Sequence, residues 1–310
     1  MWWYVGRRVL QTIPVIIFST LIIYALVFLR PGDPIVGLFG EKPVSDAVRA
    51  QLESQYNFDK PFLVQWLLFL KDAATLDFGT SFSGQPVTDL VLRAFPVTIT
   101  LAFMALTFET VLGVTMGTIA GLRRGGWFDT ISLLISLGLI AIPIFVIALV
   151  FQLFIGVKSG ISWLPPTVGG DWSLNELIVP AIVLGIVQFA FVLRLTRTSV
   201  VENMSADHVR TARAKGLSER LVIRNHVLRN SLIPVVTYLG IELGALMAGA
   251  LVTEGIFNIP GVGNLAYKAI LKGETPTVVS IVTIFVLIYV FMNLLVDLLY
   301  AVLDPRIRYE

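Results

Sequence analysis

Six stretches of the chain are almost wholly apolar over the ~20 residues a helix needs to cross a hydrocarbon core. They cover roughly residues 9–29, 97–121, 131–157, 177–193, 232–253 and 277–303. Lipid offers no hydrogen-bond partners, so each is predicted to be a helix that satisfies its own backbone; a barrel would show short alternating strands. The third and sixth are long and predict tilted spans. Arg7 and Arg8 precede the first stretch, as in a signal peptide. Its apolar run is too long for one, and Arg30-Pro31-Gly32-Asp33-Pro34 follows in place of a small-residue cleavage site, so it reads as an uncleaved anchor.

Between the spans the pattern turns amphipathic. Ser45 can cap a helix carrying Val48, Leu52 and Tyr56 at i, i+4 and i+8. Asp59-Lys60-Pro61 marks a second start, with proline in the first turn, followed by Phe62, Leu63, Trp66, Leu67 and Leu70. That helix suits either the membrane interface or a structural cover over the mouth of the bundle, the simpler of the two. Residues 253–263 contain three glycines and a proline; beyond them Val262, Leu265, Ala266, Ala269 and Ile270 share a helical face that Lys268 and Lys272 avoid. This is the shape of a gate or docking loop, or of a helix reconnecting two spans. Gly113, Gly117 and Gly121 recur every fourth residue, and Gly240, Gly244 and Ala248 repeat the device. Such strips admit a neighbouring helix closely, whether within one subunit or at a subunit interface or sliding surface.

Composition narrows the class. Of 310 residues, 56% are apolar and 14% charged, against about a quarter charged in soluble domains. Mean hydropathy is +0.82. A soluble enzyme and a disordered chain are both excluded, and hydropathy favours a single membrane domain. The net charge of +2 is too mild for a nucleic-acid binder. With no cysteine there are no disulfides, thiol catalysis or cysteine-ligated clusters, and His208 and His226 alone cannot make a metal site. Basic residues collect on alternate connections: Arg7 and Arg8; Arg123 and Arg124; Arg194, Arg197, Arg210, Arg213, Lys215, Arg220, Arg224 and Arg229; then Arg306 and Arg308. The positive-inside rule places both termini in the cytoplasm and residues 30–96 and 254–276 outside.

Covalent chemistry finds no support. There is no G-x-x-x-x-G-K-[ST] phosphate loop, no H-E-x-x-H, and no plausible Ser/His/Asp arrangement. Asp77-Phe78-Gly79 lacks every other kinase element and reads as a turn. Within the spans lie Glu109, Glu242 and Asp297. Intramembrane acids usually face a cavity or a partner. Glu242, two residues before Gly244, is a candidate for lining a pathway, the alternative being a paired structural acid. A proton pump would need a longer relay.

The strongest signal is residues 200–231, on the inner side. Ser205 or Asp207 can start a short helix in which Ala206, Val209, Ala212 and Gly216 form a small-residue stripe flanked by Arg210, Arg213 and Lys215. Gly216 ends it, and Ser218 can cap a second helix running to Pro234. A short helix of this kind suits docking in a groove of a soluble protein; a basic patch on anionic lipid is the alternative. Arg210-Thr211-Ala212-Arg213-Ala214-Lys215-Gly216-Leu217-Ser218 and His226-Val227-Leu228-Arg229-Asn230-Ser231-Leu232-Ile233-Pro234 resemble the cytoplasmic coupling loop of binding-protein-dependent ABC importer permeases. Arg210 and Thr211 replace the first two residues of the general Glu-Ala-Ala-x-x-x-Gly pattern, while Ala212 and Gly216 match it. The Arg-Thr-Ala-Arg-Ala-Lys-Gly form is that of the dipeptide/oligopeptide/nickel subgroup. Pro31-Gly32-Asp33-Pro34, residues 254–263 and Leu303-Asp304-Pro305-Arg306 fit the same subgroup, so the resemblance spans the whole chain.

The resemblance implies an all-α polytopic protein with six transmembrane helices and the type I ABC importer permease fold, in a prokaryotic plasma membrane. It implies the B-type subunit, the first of two related permeases, taking up dipeptides or oligopeptides. Its partners would be the second permease, two ABC ATPases that bind ATP and Mg, and an extracytoplasmic peptide-binding protein; the chain itself would hold no cofactor. Ala206, Val209, Arg210, Ala212, Arg213, Lys215 and Gly216 would couple to the ATPases. Glu242, Gly244 and Glu254 would line a pathway or gate, and Phe257, Asn258, Pro260, Gly261 and Asn264 would dock the binding protein. Nickel chelates and glutathione-like peptides are alternative substrates within the subgroup; the lack of a Cys or Met/His cluster disfavours bare nickel. A secondary transporter would show internal repeats, and none is visible.

Overall fold

The computed structural model describes residues 2–29, 45–161 and 163–303. Pro31-Gly32-Asp33-Pro34 and Asp304-Pro305-Arg306, with Arg308, lie outside the described residues, as do the side chains of Ala248 and Asp297. The described residues form twelve α-helices and no extended strand. Five helices are long and apolar enough to cross a membrane, and six spans result if one bent pair counts as a single span. The chain divides into two compact units, Met1–Thr98 with Pro260–Glu310, and Ile99–Ile259.

The first unit begins with α1 (Trp2–Phe28), followed by α2 (Asp46–Gln55) and α3 (Phe62–Ala74). Ser45 caps α2, its Oγ accepting from the Val48 N–H at 3.4 Å, and Pro61 is the cap residue of α3. Helix α3 lays an aromatic face on α1: Tyr24 meets Phe62 and Phe69 in tilted contacts, 5.8 and 5.5 Å between centroids. The Trp66 indole N–H donates to Thr20 Oγ1. The opposite face of α3, with Leu63, Val64 and Leu67, is exposed. Asp77-Phe78-Gly79 is a turn, with the Gly79 N–H donating to Asp77 Oδ1 at 2.9 Å. Helix α11 (Val262–Leu271) packs on α12 (Thr275–Leu303), which also lies along α1. The start of α4 (Val87–Leu122) anchors α11, the Val262 N–H donating to Thr98 Oγ1 at 2.9 Å.

The second unit holds the rest of α4, then α5 (Trp127–Ala141), α6 (Ile144–Phe151, continued by a π-helical stretch Gln152–Lys158), α7 (Ile178–Met204), the short helices α8 (Asp207–Ala214) and α9 (Glu219–Val222), and α10 (Arg229–Phe257). The third expected span is not one helix. It breaks at Ile142-Pro143, and its halves are bent by 100°. Proline lacks an amide donor and disfavours helical backbone in the residue before it; Ile142 is accordingly extended, with ψ 126°. Two further expectations change. The helix after Ser218 does not stop at Pro234 but passes through a π-helical stretch (Ile223–Leu228) into α10, where Pro234 is interior. Residues 254–257 are not loop but the last turn of α10, which Asn258 ends in the left-handed conformation, φ 50°. Burial of Thr253, Glu254 and Phe257 outweighs the helix cost of Gly255.

Candidate functional site

The connection from α7 to α10 is a compact unit with its own small core. Asp207 in the first turn of α8 complements the helix dipole. At the other end Gly216 takes φ +76°, and the Gly216 and Leu217 N–H groups bond back to Arg213 and Ala212 carbonyls at 2.9 and 3.4 Å, the paired closure of a glycine-ended helix. Arg213 forms a double hydrogen bond to Glu219 across the turn, at 3.1 and 2.7 Å. This pairing raises the guanidinium pKa, keeping the charge fixed. His208 Nε2 meets the His226 carbonyl at 3.1 Å and the Asn230 amide at 3.0 Å.

Of the small-residue stripe, Val209 and Ala212 turn inward, Ala206 is half-buried and Gly216 is exposed. Val209 and Ala212 are buried against Val200, Val222 and Val227, with Leu122, Met204 and Leu228 closing the cluster. The apolar face fills the unit's own core because Val200 and Val222 bracket it on both sides. What α8 presents outward is Arg210, Thr211, Arg213 and Lys215 with Gly216. Leu217 and Leu221 stand beside them, 40% and 46% exposed. Ala206, half-buried, is the N-cap, its carbonyl accepting from Val209 and Arg210.

Above this unit α4 and α7 touch along the glycine strip. A Cβ on Gly113 would lie 2.7 Å from Val192 Cγ1, one on Gly117 2.5 Å from the Leu193 carbonyl oxygen, and one on Gly121 2.8 Å from Val200 Cβ. The strip therefore serves packing inside the chain. Near its end, Arg197 of α7 bonds Asp129 of α5 through two parallel contacts of 2.9 and 2.8 Å. Asp129 is 3% exposed and also accepts the Gly125 N–H at 2.9 Å.

Farther along α7 and α10, a cavity of about 400 Å³ opens where the third span is broken. Ile142, Pro143, Leu184, Gln188, Glu242 and Leu246 are among its lining residues. Non-helical backbone at membrane depth is tolerated where it lines such a cavity. Glu242, 6% exposed, accepts hydrogen bonds from Gln188 and from the Tyr238 hydroxyl. Glu109 of α4 is fully buried; among the described residues neither carboxyl oxygen has a hydrogen-bond partner, and it lies within electrostatic reach of Glu242.

A family model for the binding-protein-dependent transport system inner membrane component matches residues 113–309. The chain belongs to this family. The permease is also similar over 99% of its length to the dipeptide transport system permease protein DppB of Alkalihalophilus pseudofirmus, at 35% identity over 99% of that protein. It is 36% identical to the glutathione transport system permease protein GsiC of Escherichia coli strain K12, again over 99% of each chain.

The sites expected from the sequence are distributed unevenly in the permease. Glu242 lines the cavity, and Gly244 is buried two residues on, about half a turn away. Glu254 does not join them: it is fully buried twelve residues on, about 18 Å along the helix. There the end of α10 is tied down by Gln152, which donates to the Ile256 and Pro166 carbonyls at 2.9 Å. Phe257, Gly261 and Asn264 are buried and Pro260 half-buried, which leaves Asn258 exposed. Helix α11 exposes Tyr267, Lys268 and Ile270, with Lys272 exposed at its C-cap. Gln188, Tyr238 and Asp129 escaped the sequence reading; Gln188, a lone amide in an otherwise apolar stretch, was the available signal.

Proposed function

We propose that this permease is the pore-forming subunit of an ATP-driven importer of dipeptides or oligopeptides. The observation that carries the reading is end-to-end similarity to two permeases named for small peptides, dipeptide and glutathione. Glutathione, itself a tripeptide, is the second reading. On this proposal a second permease completes the pore, two ATPases bind ATP and Mg beneath it, and a binding protein delivers substrate. The basic connections face the cytoplasm of a prokaryote, both termini lie there, and α11 faces the binding protein.

The architecture supports a coupling route. The unit of α8 and α9 is joined to both walls of the cavity: Met204 to Ala206 links it to α7, and the Ile223–Leu228 stretch continues it into α10. Ser231 Oγ donates to the Ser199 carbonyl at 3.1 Å, tying the two walls near this end. A push on Arg210, Lys215 and Leu217 therefore acts on the helices bearing Gln188 and Glu242. Rigid movement of packed elements between two arrangements is the expected transmission. Affinity purification from the membrane tests the assembly: a second polytopic chain and ATPases bearing the phosphate loop should co-purify. A permease isolated alone from gently solubilised membranes would contradict it.

A further inference from the structure

We propose that Glu242 and Gln188, reinforced by Glu109, form a subsite that holds the protonated amino terminus of the peptide during transit. The inference rests on the peptide reading above and names the substrate group that this cavity recognises. Among the residues lining the cavity, Gln188 and Glu242 supply the hydrogen-bonding side chains, the rest being Ile, Leu, Val, Ala and Pro; no Lys, Arg or His lines it. Of the two cations on the same helix, Arg194 is exposed and outside the lining, and Arg197 is engaged by Asp129.

A carboxylate at membrane depth is costly unless a cation or strong donors compensate it. Glu242 has two neutral donors, the Gln188 amide and the Tyr238 hydroxyl. The single Tyr238 O–H proton is shared between Glu242 and Gln188 Oε1, the latter at 3.4 Å, which links the three side chains. A carboxylate accepts at about four lone-pair positions, so capacity remains on the cavity side. Glu109 does not line the cavity but acts on Glu242 electrostatically from behind, with carboxyl oxygens that bond to nothing within the described residues. One lining carboxyl group with a second acid within electrostatic reach, apolar walls and no lining base favour a cation with several N–H donors. The α-ammonium of a peptide is such a group: it carries one positive charge and three donors in a compact head. It is also common to peptides of every side-chain sequence, so reading it selects a class without restricting the residues.

The test uses the full complex with its binding protein in proteoliposomes and labelled dialanine as probe. Glu242→Gln keeps the size of the side chain, removes its charge and exchanges one acceptor oxygen for an NH2 donor. Uptake should fall roughly 10- to 100-fold, the range for losing a hydrogen bond to a charged group. Glu242→Asp, which restores the charge, should recover part of the uptake. Uptake by Glu242→Gln equal to native overturns the subsite. So does parallel loss of uptake and stimulated hydrolysis in both variants, which marks a structural role. A native complex that imports no peptide while hydrolysing ATP defeats the peptide reading, and the subsite with it.

Discussion

Two glycines of this permease are constrained for different reasons, and their substitution should separate the two effects. Around Gly216 a Cβ would meet nothing within 4 Å, but φ is +76°. Gly216→Ala should therefore cost about 1–2 kcal/mol of conformational strain, and Gly216→Asn less, since asparagine tolerates this region. Thermal unfolding of the purified complex checks the order. At Gly117 the backbone is ordinary helix and the obstacle is the Leu193 carbonyl oxygen. Asp129 is constrained by charge. Asp129→Asn leaves Arg197 partly buried without its carboxylate and should destabilise by about 3 kcal/mol, the low end for a broken buried pair because Arg197 keeps some solvent contact. A melting temperature equal to native would show that the pair contributes nothing.

At the scale of elements, the close approach of α4 to α7 depends on the glycine strip. Gly117→Ala should force the two helices apart and cost about 1–3 kcal/mol, as other overpacked sites do, with Gly138→Ala, which meets open space, as the silent control. Protease resistance of the solubilised permease reads both. The coupling unit separates burial from docking. Ala212→Leu overfills the core around Val200, Val209 and Val222 and should lower stability. Arg210→Glu with Leu217→Asp alters only exposed positions and should leave folding intact while reducing ATP-driven uptake about tenfold or more, as loss of an interface contact does.

The spans were legible because some twenty consecutive apolar residues admit few other readings. The Ser45 cap, the Pro61 start and the Gly216 stop were also local signals and fell in place. The break in the third span was less visible, since hydropathy runs across Ile142-Pro143 without a gap and a proline inside a helix, as at Pro96 or Pro234, looks the same in sequence. Periodicity showed that Val209 and Ala212 share a face, but not which way it turns; that depends on Val222 and Val227, supplied by the following helix. Long-range pairs had no local mark at all: Asp129 and Arg197 are 68 residues apart, and Gln188 and Glu242 are 54 apart.

For the whole molecule, both walls of the cavity run back to the same basic connection, and no phosphate loop lies in the chain. The helical run from Glu219 through the π-helical stretch to Phe257 joins that connection to Glu242, the route by which the proposed ATPases would act on the cavity. The most direct measurement is accumulation of labelled dialanine in vesicles holding either the full complex with its binding protein or the permease alone, with and without ATP. The full complex should concentrate peptide only when ATP is supplied on the ATPase side, and the permease alone should concentrate none. Accumulation against a gradient by the permease alone, or by the complex without ATP, would contradict an ATP-coupled pore.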